Sequence, residues 1–183
     1  MPVEIEKKYR LSQKQRQAIE QRLRKLGSKP GPLEFEENTL YRGGGLDFEG
    51  FALRLRRVNG RAILTFKRRL PSKSTAKHQQ EEETEVADAG VVHTILQALG
   101  FHSALVYEKR RTRWQMGKAE VAIDELPFGL FMEIEATEKR IARAETQLGI
   151  EDLPPVLQTY PTLTARLGKK RKGVVEARFP RPK

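Results

Sequence analysis

The sequence contains no cysteine, and histidine occurs only three times, at His78, His93 and His102. The protein can therefore form no disulfide, no zinc–thiolate site and no cysteine nucleophile, and its histidines are too few for a histidine-rich metal site. Because no run of about 18 apolar residues is present, we expect no membrane-spanning helix and no membrane partner. The first residues lack the apolar stretch of a secretion signal, so we expect a cytoplasmic protein.

Positive charge is in excess and is concentrated near the carboxyl end of the chain. Lysine and arginine number 35 against 24 acidic residues, which gives a net charge of +11. Residues 168–183 contain seven of these cations and one glutamate, so they account for +6 and the remaining body for +5. A length of 183 residues favours one domain. We predict a domain at 1–167 and a basic, flexible tail at 168–183, with nucleic acid as a partner only through that tail.

Period-two and helical patterns divide the chain into short strands and three main helices. Ser12 and Gln15 form a capping box before a helix that ends at Gly27, and Asp88 precedes a helix that ends at Gly100. Residues 59–60, Asn-Gly, predict a hairpin turn. The predicted strands are 3–9, 33–41, 51–58, 61–69, 81–86, 105–116, 119–124 and 130–135. Other predictions are a helix at 139–148, a short helix or turn from Pro154 to about Tyr160, a polar loop at 71–80 and a turn at 43–45.

The two faces of most predicted strands differ in the same way. Alternate residues of a strand point to opposite sides of a sheet, and here one side carries Leu, Ile, Val or Phe while the other carries charge. Acids occupy strands 3–9, 81–86, 119–124 and 130–135, whereas bases occupy 51–58, 61–69 and 105–113. An ordinary sheet would expose such charges to water, but solvated faces usually mix the two signs, because like charges opposite each other destabilise a sheet. We therefore predict a closed barrel with its charged faces turned inward and its helices outside.

An enclosed set of acids and bases favours two kinds of ligand. Clustered arginine and lysine side chains repel one another unless an anion offsets them, and neighbouring carboxylates suit a hard divalent ion such as Mg²⁺ or Mn²⁺. Glu4 and Glu6 would lie about 7 Å apart on one strand face, with Lys8 in the same phase. A polyanion, a hard metal ion and basic side chains together are the requirements of phosphoryl transfer.

The motif Glu4-x-Glu6-x-Lys8 resembles the opening signature of the CYTH superfamily, the triphosphate tunnel metalloenzymes. Later motifs agree with that family in order and spacing over about residues 1–165. They are Arg54-x-Arg56, Thr65-x-Lys67, Glu83-x-Glu85, Lys109-x-Arg111, Asp124, Glu133-x-Glu135 and Gln158-Thr-Tyr-Pro161. The resemblance implies an α+β fold in which a closed eight-stranded antiparallel β-barrel forms a tunnel.

The resemblance also implies roles for individual residues. One or two Mg²⁺ or Mn²⁺ ions would be held by Glu4, Glu6, Asp124, Glu133 and Glu135. Triphosphate oxygens would be bound by Lys8, Arg54, Arg56, Lys67, Lys109 and Arg111, and by Arg113 if it also points inward. The catalytic set would be Glu4, Glu6, Lys8, Glu83 and Glu85, with Glu81 as the alternative if the register is shifted. Arg166 and Lys169 are candidates for a further basic residue near the carboxyl end.

Three functions are compatible with this resemblance. We predict a metal-dependent triphosphatase that hydrolyses inorganic triphosphate or an organic triphosphate, with a triphosphate-containing small molecule as its ligand. The first alternative is a class IV adenylyl cyclase that makes cyclic AMP and pyrophosphate from ATP. The second is a module that binds polyphosphate or RNA ends without turnover. The sequence leaves open which triphosphate is used, how many metal ions bind and whether the protein oligomerises.

Overall fold

A computed structural model, which describes residues 3–44 and 50–181, contains eight strands that close into an antiparallel barrel. These strands are β1 (Val3–Leu11), β2 (Glu34–Gly43), β3 (Phe51–Val58), β4 (Arg61–Arg69), β5 (Lys77–Val86), β6 (Phe101–Met116), β7 (Ala119–Leu126) and β8 (Gly129–Glu135). Their order around the barrel is β2-β3-β4-β5-β1-β8-β7-β6, and β6 pairs with β2 to close it. The predicted closed eight-stranded antiparallel barrel is confirmed.

Within the described residues, four helices accompany the barrel: α1 (Gln13–Lys25), α2 (Ala89–Ala98), α3 (Glu138–Leu148) and α4 (Tyr160–Leu167). The predicted capping box begins α1, because the Ser12 side chain accepts from the Gln15 backbone and the Gln15 side chain accepts from the Ser12 backbone. Asp88 caps α2 by accepting from two backbone N–H groups. Gly149 ends α3 with a φ of 59°, a left-handed conformation that costs glycine little.

Three segments differ from the sequence-based predictions. Strand β5 begins at Lys77 and not at residue 81, so the end of the predicted loop 71–80 is paired with β1 and β4. Strand β6 begins at Phe101, four residues earlier than predicted. The last helix begins at Tyr160, where the predicted turn was to end, because the Thr159 hydroxyl accepts from the Thr162 backbone and caps it. Of the predicted turn at 43–45, Gly45 lies outside the described residues.

The structure also corrects the prediction of a flexible tail, because two further strands lie within residues 169–177. These are β9 (Lys169–Arg171) and β10 (Val174–Ala177), and β10 pairs in parallel with β6, with Val175 opposite Leu105. Arg178 follows β10 and donates to the buried carboxylate of Glu108 at 3.0 Å. Side-chain packing and this ion pair therefore hold a segment whose composition alone resembles a disordered tail. Residues 182–183 lie outside the described residues.

The main hydrophobic core lies between the outer face of the barrel and the helices. Ile19 and Leu23 of α1, with Ile141 and Leu148 of α3, pack against outward-facing barrel residues such as Val121. On the other side of the barrel, α2 contributes Leu96 to a smaller cluster. Each such buried aliphatic side chain contributes about 1.5–3 kcal/mol to stability. The outward direction of the apolar faces leaves the charged faces for the interior, as predicted.

The antiparallel register defines two ends of the barrel, which differ in what they present. We call one the first end, where β2 and β4 finish and β3 and β6 begin, near Gly43, Phe51 and Arg69. The opposite, second end includes Glu120 and Glu135, which pair across β7 and β8. In the part of the chain that the structure describes, no helix has the length and apolar character required to cross a membrane.

Candidate functional site

The barrel encloses a tunnel of about 870 Å³ whose wall carries charge of both signs. Of the described residues that line it, ten are lysine or arginine and eight are glutamate, an excess of two positive charges. Twelve of the predicted site residues line it: Glu4, Glu6, Lys8, Arg54, Arg56, Lys67, Glu83, Lys109, Arg111, Arg113, Glu133 and Glu135. The structure therefore brings most of the predicted acids and bases, which are far apart in sequence, into one enclosed space.

Acidic strands lie beside acidic ones and basic strands beside basic ones, so opposite charges meet at the boundary between the two groups and at Lys8. Lys67 of β4 lies opposite Glu81 of β5 and forms an ion pair with it. Lys8 of β1 lies opposite Glu133 of β8, with the Nζ and Oε1 atoms 3.1 Å apart. Burial acts to raise the pKa of Glu133, but Lys8 and the nearby basic side chains hold it well below its usual range. This carboxylate is therefore ionised and already paired.

Arg111 and Asp124 form a buried ion pair in the wall of the site. The guanidinium donates through Nε to Oδ1 at 2.7 Å and through a terminal nitrogen to Oδ2 at 2.5 Å, a bidentate arrangement. The Tyr160 hydroxyl of α4 also donates to Oδ2 at 2.7 Å. Asp124 has no exposed surface and does not line the tunnel. The predicted metal ligand Asp124 is thus a poor fit to a metal ion here, because both of its oxygens are bonded to Arg111 and Tyr160.

A buried carboxylate that the sequence analysis did not single out lies behind the basic side chains. Glu36 of β2 is fully buried, with its Oε2 atom 3.3 Å from the Nζ atom of Lys109 and its Oε1 atom 3.9 Å from Arg56. Burial acts to raise its pKa, but Lys109, Arg111 and Arg56 lower that pKa to about 2. Glu36 is therefore a permanent internal anion that stabilises the cations beside it. It was missed because β2 mixes charge and apolar residues on both faces.

Carboxylates lie next to carboxylates toward the second end of the tunnel. Glu135 is directly opposite Glu6 on one neighbouring strand and Glu120 on the other. Burial raises the pKa of Glu135, and the charges of Glu120 and Glu6 raise it further. Burial likewise raises the pKa of Glu81, with a hydrogen bond to Glu4 as the next cause. Like charges in contact are costly unless a cation lies among them.

These acids provide the test of whether the residues suit a divalent cation. Carboxylate oxygens are the donors that Mg²⁺ and Mn²⁺ prefer, and their mutual repulsion would be relieved by binding one. Within residues 3–44 and 50–181, no three acidic or histidine side chains already form a metal-binding group, so the ligands would have to move together. The donor set that fits comprises Glu4, Glu6, Glu81, Glu120 and Glu135. Glu133 fits less well, because the surrounding cations hold its pKa well below the usual range and already balance its charge, whereas the pKa values of Glu81 and Glu135 are raised.

Other residues were placed differently from the sequence analysis. Glu85 shares the phase of Glu83, yet its side chain is 58% exposed and lies beside Arg61, outside the tunnel lining. Glu81 takes the inward position that was considered as an alternative. Lys77 also lines the tunnel, 3.1 Å from Glu6, but was hidden in the segment read as a loop. Glu120, which also lines the tunnel, was not predicted. It is four residues from Asp124 on the same strand and therefore on the same face, so the alternating pattern could have identified it as a site residue.

Tyr160 links the last helix to the tunnel. Its ring lies beneath Lys8, with the Nζ atom 3.6 Å from the ring centroid, a cation–π contact. Its hydroxyl bonds Asp124, as described above, and burial together with the charge of Asp124 raises its pKa well above the usual value. The sequence motif Gln158-Thr-Tyr-Pro161 included this residue without indicating a role. In the structure Tyr160 contacts a basic side chain, Lys8, through its ring and an acidic side chain, Asp124, through its hydroxyl.

The fold and the interior together define a class of protein, the β-barrels that enclose a tunnel lined by opposed acids and bases. The sequence model of the CYTH domain matches residues 2–152. The chain therefore belongs to the CYTH domain family, and the resemblance proposed from its motifs is confirmed.

Individual proteins agree with this assignment. A Methanocaldococcus jannaschii protein provisionally named adenylate cyclase is 29% identical over 136 residues, which span 73% of this chain and 76% of that protein. A solved Pyrococcus horikoshii structure is 25% identical with a TM-score of 0.73 and covers 86% of this chain and 96% of that one. A Hippeastrum structure shares the fold at 18% identity and a TM-score of 0.66, covering 96% and 100% of the two chains. That protein is described as a provisional adenylyl cyclase with a dominant triphosphatase activity.

Proposed function

We propose that this protein is a metal-dependent triphosphatase that hydrolyses inorganic triphosphate or the triphosphate of an organic small molecule inside the tunnel. The observation that carries the proposal is a pair of unsatisfied donors in the basic wall. The Nε atoms of Arg54 and Arg56 are buried and have no hydrogen-bond partner among the residues that the structure describes. A buried donor without a partner costs about 1–3 kcal/mol, and phosphate oxygens would satisfy both.

The charge of the tunnel supports a polyanion accompanied by cations. The lining residues that the structure describes have an excess of two positive charges, whereas a triphosphate carries more negative charge than that. The carboxylate pairs around Glu135 offer the place where Mg²⁺ or Mn²⁺ would restore the balance. When bound, such an ion would neutralise phosphate oxygens and lower the pKa of a bound water molecule. We assign that ion to Glu4, Glu6, Glu81, Glu120 and Glu135.

The side chains of this chain would then position the substrate. Arg54 and Arg56 would bind oxygens along one side of the triphosphate, and Lys8 and Lys109 would bind oxygens on the side of Tyr160. Hydrolysis breaks the bond between the terminal phosphorus and its bridging oxygen, and water supplies the new oxygen. Inorganic triphosphate would give orthophosphate and pyrophosphate. A protein nucleophile is not required, because the wall supplies orientation and charge.

The test is a substrate panel of inorganic triphosphate, thiamine triphosphate and ATP, with Mg²⁺ or Mn²⁺ and identification of every product. Arg56→Ala removes a tunnel donor, and Arg57→Ala is its matched control on the outer face of the same strand. We expect KM to rise at least about tenfold in the first variant, as for loss of a charge-assisted bond, and to change little in the second. Equal effects, or no orthophosphate from any substrate, would refute the proposal.

A class IV adenylyl cyclase activity is the second candidate, favoured by the provisional name of the Methanocaldococcus relative. The same panel separates the two, because a cyclase converts ATP to cyclic AMP and pyrophosphate without orthophosphate. Binding without turnover is the third. It would be rejected if Glu4→Ala or Asp124→Ala abolished a measured phosphate release, since neither substitution affects a surface binding site.

A further inference from the structure

The β9–β10 hairpin presents an unusual concentration of unpaired charge. Lys169, Lys170, Arg171 and Lys172 are consecutive and exposed. None of the four forms an ion pair with any residue that the structure describes. Most interior cations of this protein have an acidic partner, and what distinguishes this run is that four exposed cations are consecutive. Like charges held close together repel unless an anion reduces the repulsion.

The hairpin is held in place and is not a solvated tail. Gly168, at its start, packs so closely that an added Cβ atom would lie 2.6 Å from the Thr164 backbone oxygen and 2.8 Å from that of Glu176. Lys172 and Gly173 form its turn with positive φ angles of 47° and 86°. Val175 then pairs with Leu105 of β6. The four cations are therefore presented at a defined place on the barrel.

That place is the first end of the tunnel. Because β10 runs parallel to β6, the hairpin turn that precedes Val174 points toward the beginning of β6, at the first end. Arg42 and Arg69 line the tunnel at the same end and have exposed side chains. Thr162 and Ala165 of α4, the helix that leads into the hairpin, line the tunnel as well. A chain of phosphates leaving the tunnel at this end would meet positive charge on its way out.

The second end of the tunnel carries carboxylates. Glu120 and Glu135 face each other across β7 and β8 there, and Arg113 is already bonded to Glu120 at 3.1 Å. The tunnel thus has an acidic end suited to cations and a basic end suited to anions. This polarity would place a metal-bound terminal phosphate toward the second end, with the rest of the substrate directed to the first.

We propose that the β9–β10 hairpin is a second anion site, which binds the distal part of a linear inorganic polyphosphate longer than triphosphate while its terminal phosphates occupy the tunnel. The inference rests on the proposed triphosphate site and extends its substrate class. The ligand is a phosphate chain and not RNA, because residues 169–175 contain no aromatic side chain on which a base could stack. Lysine and arginine alone recognise phosphate charge without reading bases.

The test compares two triple variants with the same loss of charge. The hairpin variant is Lys169→Gln, Lys170→Gln and Arg171→Gln, which leaves the Lys172 turn intact. The control variant is Lys14→Gln, Lys118→Gln and Lys139→Gln, three exposed cations located elsewhere. Calorimetry measures the Kd of tripolyphosphate, of a size-fractionated long polyphosphate and of an RNA oligonucleotide with a 5′-triphosphate, at low and high salt.

We expect the hairpin variant to bind long polyphosphate about tenfold more weakly at low salt, as several screened surface contacts would together provide. Tripolyphosphate binding should be unchanged in both variants, and the difference for the long chain should shrink at high salt. Equal losses of affinity for long polyphosphate in the two variants would overturn the inference. If the hairpin variant lost more affinity for RNA than for polyphosphate, RNA would be the ligand of the hairpin and the inference would be wrong. If the protein did not hydrolyse tripolyphosphate, only the proposed function would be refuted. The inference about the hairpin would stand, because the Kd comparison does not depend on turnover.

Discussion

Glu36 and Lys109 face each other in the wall of the barrel, with carboxylate and ammonium 3.3 Å apart and side chains 0% and 3% exposed. Neutralising Glu36 would leave Lys109 and Arg56 without their nearest buried anion. Removing one member of a buried ionic network typically costs about 3–5 kcal/mol. We therefore expect Glu36→Gln to lower the free energy of unfolding by about 3 kcal/mol in urea denaturation.

The matched control for this variant is Glu37→Gln. Glu37 is the next residue along β2, is partly exposed and pairs with Arg57 and Arg178. A partly exposed pair contributes about 0–1 kcal/mol, so its loss should have a much smaller effect. Equal stability of the Glu36→Gln variant and the unmodified protein would show that Glu36 does not stabilise the basic wall.

The depressed pKa of Glu36 predicts the pH dependence of stability. Its pKa is 4.5 in the reference state and about 2 in the folded protein, so the unfolded chain binds a proton first as pH falls. The stabilisation is present above about pH 4.5 and is lost between there and about pH 2. Unfolding free energies measured across this window should fall less steeply in Glu36→Gln than in the unmodified protein. Parallel curves would exclude Glu36 as a source of the acid sensitivity.

Tyr160 allows its hydroxyl and its ring to be tested separately. Tyr160→Phe removes the hydrogen bond to Asp124 but keeps the ring beneath Lys8, so we expect about 1–3 kcal/mol of lost stability and an unchanged KM. Tyr160→Leu also removes the cation–π contact and should raise KM for triphosphate several-fold. Urea denaturation and initial-rate kinetics on both variants provide the measurements. A KM that rises equally in the two variants would assign the effect to the hydroxyl.

Glu135 is expected to repel its neighbours until a cation binds. Because burial, Glu120 and Glu6 raise its pKa above 4.5, protonation competes with metal binding at a higher pH than for an ordinary carboxylate. We expect the affinity for Mn²⁺ to decline on acidification from above pH 4.5. Glu135→Gln should not lower the Tm of the metal-free protein, and it should reduce the Tm increase that Mn²⁺ produces.

Glu85→Gln is the control for that measurement, because Glu85 occurs in the other predicted acidic motif but lies outside the tunnel lining. Its Tm increase with Mn²⁺ should equal that of the unmodified protein. An equal reduction in both variants would place the cation elsewhere.

The carboxyl-terminal strands are expected to be required for stability. Glu108 is fully buried and accepts hydrogen bonds from Arg178, the Phe179 backbone and Arg181. Deleting the chain from Gly168 would remove these partners of Glu108 together with the pairing of β10 to β6, and breaking such a buried ionic network costs about 3–5 kcal/mol. The triple glutamine hairpin variant keeps these contacts and should unfold near the unmodified protein. A stable truncated protein would show that β10 adds nothing to the barrel.

The direction of the charged faces was predictable because it depends on local phase alone. Glu4 lies between Val3 and Ile5, and Arg54 lies between Leu53 and Leu55. Such alternation in a strand determines the face without knowledge of the partner strand. The pairing of Arg111 with Asp124 was not predictable in the same way, because it depends on how far β6 and β7 are staggered in the closed barrel. That stagger decides whether an acid meets a cation or another acid.

Where local patterns mislead, a distant contact decides the structure. Glu36 belongs to a strand whose outer face includes both Phe35 and Glu37. The alternation along this strand therefore does not show which face points into the barrel. Residues 168–181 have the composition of a disordered tail, but their pairing with β6 and their bonds to Glu108 order them. A single sequence contains no local signal for a strand that depends on a partner some 70 positions earlier.

The position of β1 between β5 and β8 has a consequence for how the protein is made. Glu6 faces Lys77 on one side and Glu135 on the other, so β1 is translated well before β8, one of its two partner strands. At synthesis rates of about 5–20 residues per second, that delay is on the order of ten seconds. β5 can cover one edge of β1 earlier, but the edge that pairs with β8 has no partner until that strand has been made. A chaperone or a neighbouring nascent chain therefore has its best opportunity to capture this protein before the last barrel strand has been translated.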